Sequence, residues 1–255
     1  MGLTNFDVVV ANQFVGGVSV APALSPFAKV LYVDGTNGSD TNNGQAPDRA
    51  FATIAQAITA SVSSRGDHIV IAPGTYTVTA AVVPKANNVF RAAIVNPRYP
   101  TVVIAGNIAD IVQVDVSGVV FYGIEFKATG STADNLVDVA DGADVNGCIF
   151  DTCVFNGADQ TSVVGLQLDD ATFIPTGLIV RNCLFRDLTG TMIDVGVLGM
   201  PYAVIQFNTF AHDVNSGKGI ALADTTAFVT GKGYVIADNI FLPFDATGDE
   251  VGISI

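Results

Sequence analysis

The chain has 255 residues, 49% of them apolar and only 14% charged, with a formal net charge of −13. That length holds one large domain or two small ones, and the composition excludes an intrinsically disordered chain. The 11 Lys and Arg are spread thinly, so no basic stripe exists for nucleic acid; the acidity reads as solubility, with cation binding or a carboxylate-lined glycan groove as the sharper alternatives.

Residues 1–30 open the chain. Their first positive side chain is Lys29, so a secretory signal peptide is not expected. Val8 to Ala28 is uncharged but carries Asn12, Gln13, Gly16, Gly17 and two prolines, which argues against a membrane span. "MGLTNF" lacks the Ser or Thr at position 6 that myristoylation needs. The segment is strand-like and apolar, and it would be sticky alone. It reads as an arm whose Phe6, Val8, Val10, Phe14 and Val15 pack along its own chain or dock onto a partner by strand addition.

Next comes "YVDGTNGSDTNNGQAPDRAFATIAQAI", Tyr32 to Ile58, a run of turn residues ahead of the one good helix. Thr53 and Gln56 form a capping box, and Ile54, Ala57 and Ile58 share a face. Gly66 is the expected stop. Thr53, Ile54, Gln56 and Ile58 therefore belong to a structural lid. Asp34, Asn37, Asp40 and Asn42 are weak candidate calcium ligands, because their spacing is not that of an EF-hand and a run of tight turns is the preferred explanation. "DHIVIAPGTYTV" follows as a first coil, and residues 80–110 fit the later pattern poorly.

The second half repeats. "VVFYGIEF", "CIFDTCVF", "LIVRNCLF", "AVIQFNTF" and "YVIADNIF" end at Phe126, Phe155, Phe185, Phe210 and Phe241, at spacings of 29, 30, 25 and 31. Between them lie "IVQVD", "LVDVAD", "GLQLDD", "MIDVGV" and "GIALAD". The alternation has a period of two, so each repeat holds at least two short strands and the phenylalanines should form a core stack. Two residues before each Phe stand Ile124, Cys153, Cys183, Asn208 and Asn239: small apolar thiols, then an inward amide ladder. Three cysteines, with Cys148 the third, give no disulfide framework, and His68 and His212 are far apart in sequence. Asp outnumbers Glu by 22 to two (Glu125 and Glu250), as a turn-rich, helix-poor protein requires.

The opening "YVDGTNGSDTNNG…PDRAFATIAQAI…GDHIVIAPGTYTV" and the later "VRNCLF", "IQFNTF" and "IADNIF" resemble right-handed parallel β-helix proteins of the pectate-lyase-like superfamily, over about residues 30–245. The resemblance implies an all-β fold: a right-handed single-stranded parallel β-helix, residues 31–255, with a short capping helix and an extended arm at residues 1–30. The superfamily includes polysaccharide lyases, glycoside hydrolases, phage tailspikes, adhesins and virion parts, so it fixes no activity.

One outward column reads Gln113, Asp138, Gln167, Asp194, Ala221. Asp138 and Asp194 would lie two strand steps apart, roughly 9–10 Å, near the upper end of the spacing of an inverting glycosidase pair, about 6.5–9.5 Å. Asp169 and Asp170 complete a candidate carboxylate set. The His-Gly and Arg-x-Lys elements of a polygalacturonase-like site are missing, and Arg181 has no evident partner. Trp is absent, leaving Tyr122 and Tyr202 as stand-in sugar platforms.

The leading expectation is a non-enzymatic structural component of a phage-like virion, a capsid decoration or tailspike-type protein. It would be made in the host cytoplasm, displayed on the virion surface, held to a capsid or tail protein through residues 1–30, and associated as a homo-oligomer such as a trimer, with a surface glycan as a further partner. The alternative is a carbohydrate-active enzyme, a glycoside hydrolase or polysaccharide lyase, acting on an extended glycan along the β-helix face. No cofactor is required by either, calcium apart, and neither nucleic acid nor membrane is an expected partner.

Overall fold

Short runs of alternating apolar residues become strands of two to five residues, and the turn residues between them bring the chain back to stack on itself. The structure is a computed structural model that describes residues 27–96, 99–140, 142–160, 162–168, 173–196, 199–211, 218–222, 233–242 and 251–254. Most of the arm, with Phe6, Val8, Val10, Phe14 and Val15, lies outside the described residues, as do Asp169, Asp170 and His212.

Three parallel sheets wind into a right-handed β-helix. The first has eight strands, from Val30–Val33 to Val235–Ala237. The second has seven, from Gly74–Val78 to Ile240–Phe241. The third has six, from Asp110–Val114 to Val251–Ser254. No described helix is long and apolar enough to cross a membrane.

The phenylalanine column is the spine of the core. Phe126, Phe155, Phe185, Phe210 and Phe241 are register partners in the second sheet, with successive ring centroids 5.3, 4.4, 4.9 and 4.7 Å apart. A second stack, Phe90, Phe121 and Phe150, descends from the first sheet at 4.9 and 5.4 Å, and Phe121 meets Phe126 edge-on. Offset stacks and edge contacts are the arrangements that aromatic quadrupoles favour.

The corner between the first and second sheets keeps successive coils aligned. At Gly123, Thr152, Asn182, Phe207 and Asp238 the backbone takes left-handed φ values of 72°, 58°, 55°, 57° and 55°. The next residue points inward, and there the amide ladder stands. Asn208 Oδ1 accepts from Cys183 N and its Nδ2 donates to Val180 O; Asn239 repeats this one coil on, accepting from Asn208 N and donating to Ile205 O.

The lid forms as its sequence directs. The helix Ile54–Ala60 starts at Thr53, whose side chain accepts from Gln56 N, and it buries Ile54 and Ala57 against the first strands of the first sheet. It stops at Ser61, not at Gly66: Ser61 N bonds Ala57 O and Ile58 O, and its hydroxyl donates to Ile58 O. A Ser that folds back onto the last carbonyls closes the helix a turn earlier than the glycine. The solenoid also starts before the lid, because Val30–Val33 pairs with His68–Ile71. Residues 80–110 do form a coil, with strands at Val89–Ala92, Val102–Gly106 and Asp110–Val114. Here the tight corner is replaced by a loop after Ala92, which hid the register.

Candidate functional site

The polar column on the third sheet is real. Gln113 pairs with Asp138, Asp138 with Gln167, Gln167 with Asp194, and Asp194 with Ala221, which leads on to Ser254. The column faces away from the core, because its strand neighbours Val112, Val137, Leu166 and Ile193 are fully buried. Beside it, Asn135 Nδ2 donates to Asp110 Oδ1 at 2.8 Å and lies 3.5 Å from Asp138 Oδ2. Asp138 is buried and Asp194 half-buried. Carboxylates and amides thus recur at each strand step on one face.

The calcium candidates serve the loop. Asp34 Oδ1 accepts from the N–H groups of Thr36 and Asn37, and Asn37 Nδ2 donates to Oδ2. The Asn37 side chain first, then the two N–H groups, hold the Asp34 carboxyl below its ordinary pKa. Asp40 accepts from Ala52 N, Thr53 N and Thr53 Oγ1, and Asn42 Nδ2 donates to Ala50 O. These side chains staple the loop to the lid. Among the described residues no group of three or more His, Cys, Asp or Glu is placed to hold a metal.

Tyr122 and Tyr202 do not converge. Tyr122 stands on the outer face of the first sheet, and the ladder Tyr122–Asp151–Arg181–Gln206 puts Tyr202, just ahead of Gln206, three coils away. His68 is buried, and burial first, then the nearby Arg91, push its pKa below the ordinary value. The three cysteines are free and buried; burial raises the Cys148 thiol to about 11 and the Cys183 thiol well above its usual value.

Ion pairs escaped the sequence reading. Arg181 does have a partner: its Nε and Nη2 each lie 2.9 Å from Asp151 Oδ2, while Asn182 Nδ2 and Thr152 Oγ1 donate to Oδ1 at 3.0 Å. With four donors around it, Asp151 is a structural anchor. On the second sheet, Glu125 Oε1 accepts from Asn156 Nδ2 at 2.7 Å and Arg186 Nη2 at 3.0 Å. The signal was available: aligning the phenylalanines and moving one residue outward gives Lys127, Asn156 and Arg186 on one side and Glu125 on the other.

No protein-family model matches the chain, and no curated protein sequence matches it. Among solved structures, it is similar to the pectin methylesterase from Aspergillus niger, at 15% identity and TM-score 0.48 over 92% of this chain and 86% of that one. It is similar to the PL6 family alginate lyase AlyGC at 13% identity and TM-score 0.44, over 89% of this chain but only 42% of that one. A rhamnogalacturonan lyase matches at 13% identity and TM-score 0.42, over 88% and 67% of the two chains. The chain spans about two fifths of the length of the alginate lyase. The expectation of a non-enzymatic virion protein is corrected here: the solved structures it is similar to are a pectin methylesterase, an alginate lyase and a rhamnogalacturonan lyase. A tailspike likeness is not among them. In fold, the chain is a parallel β-helix.

Proposed function

We propose that the chain is a carbohydrate-active enzyme that lays an extended glycan along the outer face of the third sheet and hydrolyses it. The observation that carries the reading is the in-register column Gln113, Asp138, Gln167, Asp194. Two strand steps separate the acids, about 9–10 Å, close to the span an inverting pair needs to admit a water beside the sugar. Asp194, the more open to solvent, is the base that takes a proton from that water. Asp138 is the acid that protonates the departing glycosidic oxygen. Gln167 between them and Gln113 beyond offer amides to sugar hydroxyls. The column and its flank bring Asp110, Asp138 and Asp194 together on one face, and like charges repel. The substrate class is therefore a neutral polysaccharide rather than a polyuronate.

The test is cleavage of a panel of neutral and uronate polysaccharides by the purified full chain, read as new reducing ends and as the anomer first released. New ends from a neutral glycan with inverted configuration are expected. Asp138→Asn and Asp194→Asn should each lower kcat by about 10²–10⁴-fold, with melting temperature kept. Unsaturated, ultraviolet-absorbing ends would mean elimination and would end the hydrolase reading, as would binding without any shortening.

A further inference from the structure

Glu125, Lys127, Asn156 and Arg186 share the outer face of the second sheet, on three consecutive coils whose Phe126, Phe155 and Phe185 point into the core. The strand Ile124–Ala128 carries Glu125 and Lys127 two residues apart, which puts both on one side. The next strand, Val154–Asn156, sets Asn156 in register with Lys127. Neighbouring strands lie about 4.8 Å apart, a step that the flexible four-carbon stem of a lysine covers. Glu125 and Asn156 are only 6% and 4% exposed, and Lys127 is half-buried.

The Asn156 amide is held in one orientation. Its Oδ1 accepts from Ala158 N at 2.8 Å, and its Nδ2 donates to Glu125 Oε1 at 2.7 Å. A backbone N–H only donates and a carboxylate only accepts, so the two ends of the amide do not interchange. Arg186 Nη2, 3.0 Å from the same Oε1, fixes the Glu125 carboxylate in place. An N–H donor thus polarises the amide oxygen, a base touches the amide nitrogen, and a primary amine occupies the adjacent strand position. These are the parts of an acyl transfer: a polarised electrophile, a proton carrier at the leaving group and a nucleophile. The rival nucleophile of an Asn-Gly bond is the glycine nitrogen, and Gly157 N is engaged with Arg186 O.

We infer that Lys127 and Asn156 join in an intramolecular isopeptide bond, formed by the chain itself with Glu125 as proton carrier. Lys127 Nζ, as the free amine, attacks Asn156 Cγ, and the negative charge gathers on Oδ1 against the Ala158 N–H. Glu125 takes a proton from Nζ and passes it to Nδ2. The Cγ–Nδ2 bond then breaks, and ammonia departs with the electron pair. A primary amine and a carboxamide become one secondary amide and ammonia; nothing is oxidised or reduced. The link ties two adjacent coils together across the outside of the wall, and it does not depend on the glycan reading.

Mass spectrometry of the purified full chain tests it, on the intact denatured protein and on its tryptic peptides. A mass lower by one ammonia is expected, with the peptides that carry Lys127 and Asn156 recovered as one linked species and no cleavage after Lys127. Lys127→Arg should abolish the ammonia loss and the linked species while circular dichroism still reports a folded solenoid. Glu125→Gln should leave the chain unlinked in the same preparation. A wild-type mass equal to that of its sequence would overturn the proposal. An ammonia loss that persists in Lys127→Arg would also overturn it, by marking a succinimide at an Asn-Gly bond. A Glu125→Gln chain linked as completely as the wild type would overturn the part given to Glu125.

Discussion

Phe207 sits in a left-handed conformation, φ 57°, at a corner where the neighbouring coil uses Asn182, and its ring is 55% exposed. That conformation costs a side chain with a bulky Cβ substituent about 1–2 kcal/mol, and Asn tolerates it far better. Phe207→Asn should therefore raise stability by about 1 kcal/mol and the melting temperature by about 2–4 °C, measured by calorimetry; an unchanged or lower midpoint would sink the argument. The same column shows what could be read in advance. The amides of Asn208 and Asn239 and the phenylalanines beside them were legible because a stacked coil repeats its residue types at fixed offsets. Thr152 and Phe207 were not legible as left-handed residues, because neither type prefers that conformation; the fold imposes it.

Elements meet at Asp67. Its buried carboxylate accepts from Lys29 N ahead of the first strand, from Val62 N after the lid helix, and from Arg65 at 2.6 Å. Burial alone would raise its pKa, but the Arg65 pair and the two N–H groups outweigh burial and hold it below the ordinary value. The unfolded chain then binds the proton more readily than the folded one, so this stabilisation is complete above the unfolded pKa, about 3.9, and is lost as pH falls through the lower folded value. His68, next in sequence, acts in the same direction from about pH 6.5 downward, because its folded pKa is also depressed. Asp67→Asn should cost about 2–3 kcal/mol at neutral pH and flatten the acid limb of a stability-against-pH curve from denaturant melts. A parallel, merely shifted curve would contradict this account. At this scale the sequence disclosed the lid and its N-cap. It missed the helix stop, because Ser61 competes locally with a glycine whose signal is stronger in general. It also missed the coil at residues 80–110, where a loop breaks the spacing that revealed the others.

For the whole molecule, the order of the coils was open to reading because each coil touches only its neighbours, so one alignment of five segments reproduces three sheets. Contacts that depend on absolute register, such as Glu125 with Arg186 two coils on, needed the stacking to be fixed first. The same stacking seals Cys148, Cys153 and Cys183 inside, each almost wholly shielded from solvent and none joined to another. An alkylating reagent attacks the thiolate, and two of the three thiols are held protonated by their surroundings. Labelling must therefore wait for the wall to part. In mild denaturant, mass spectrometry should find all three sites blocked at one common rate if the solenoid opens as a unit. Staggered rates, one coil after another, would mean that it peels. The chain thus carries its own clock for that event, with a hand on each of two adjacent coils.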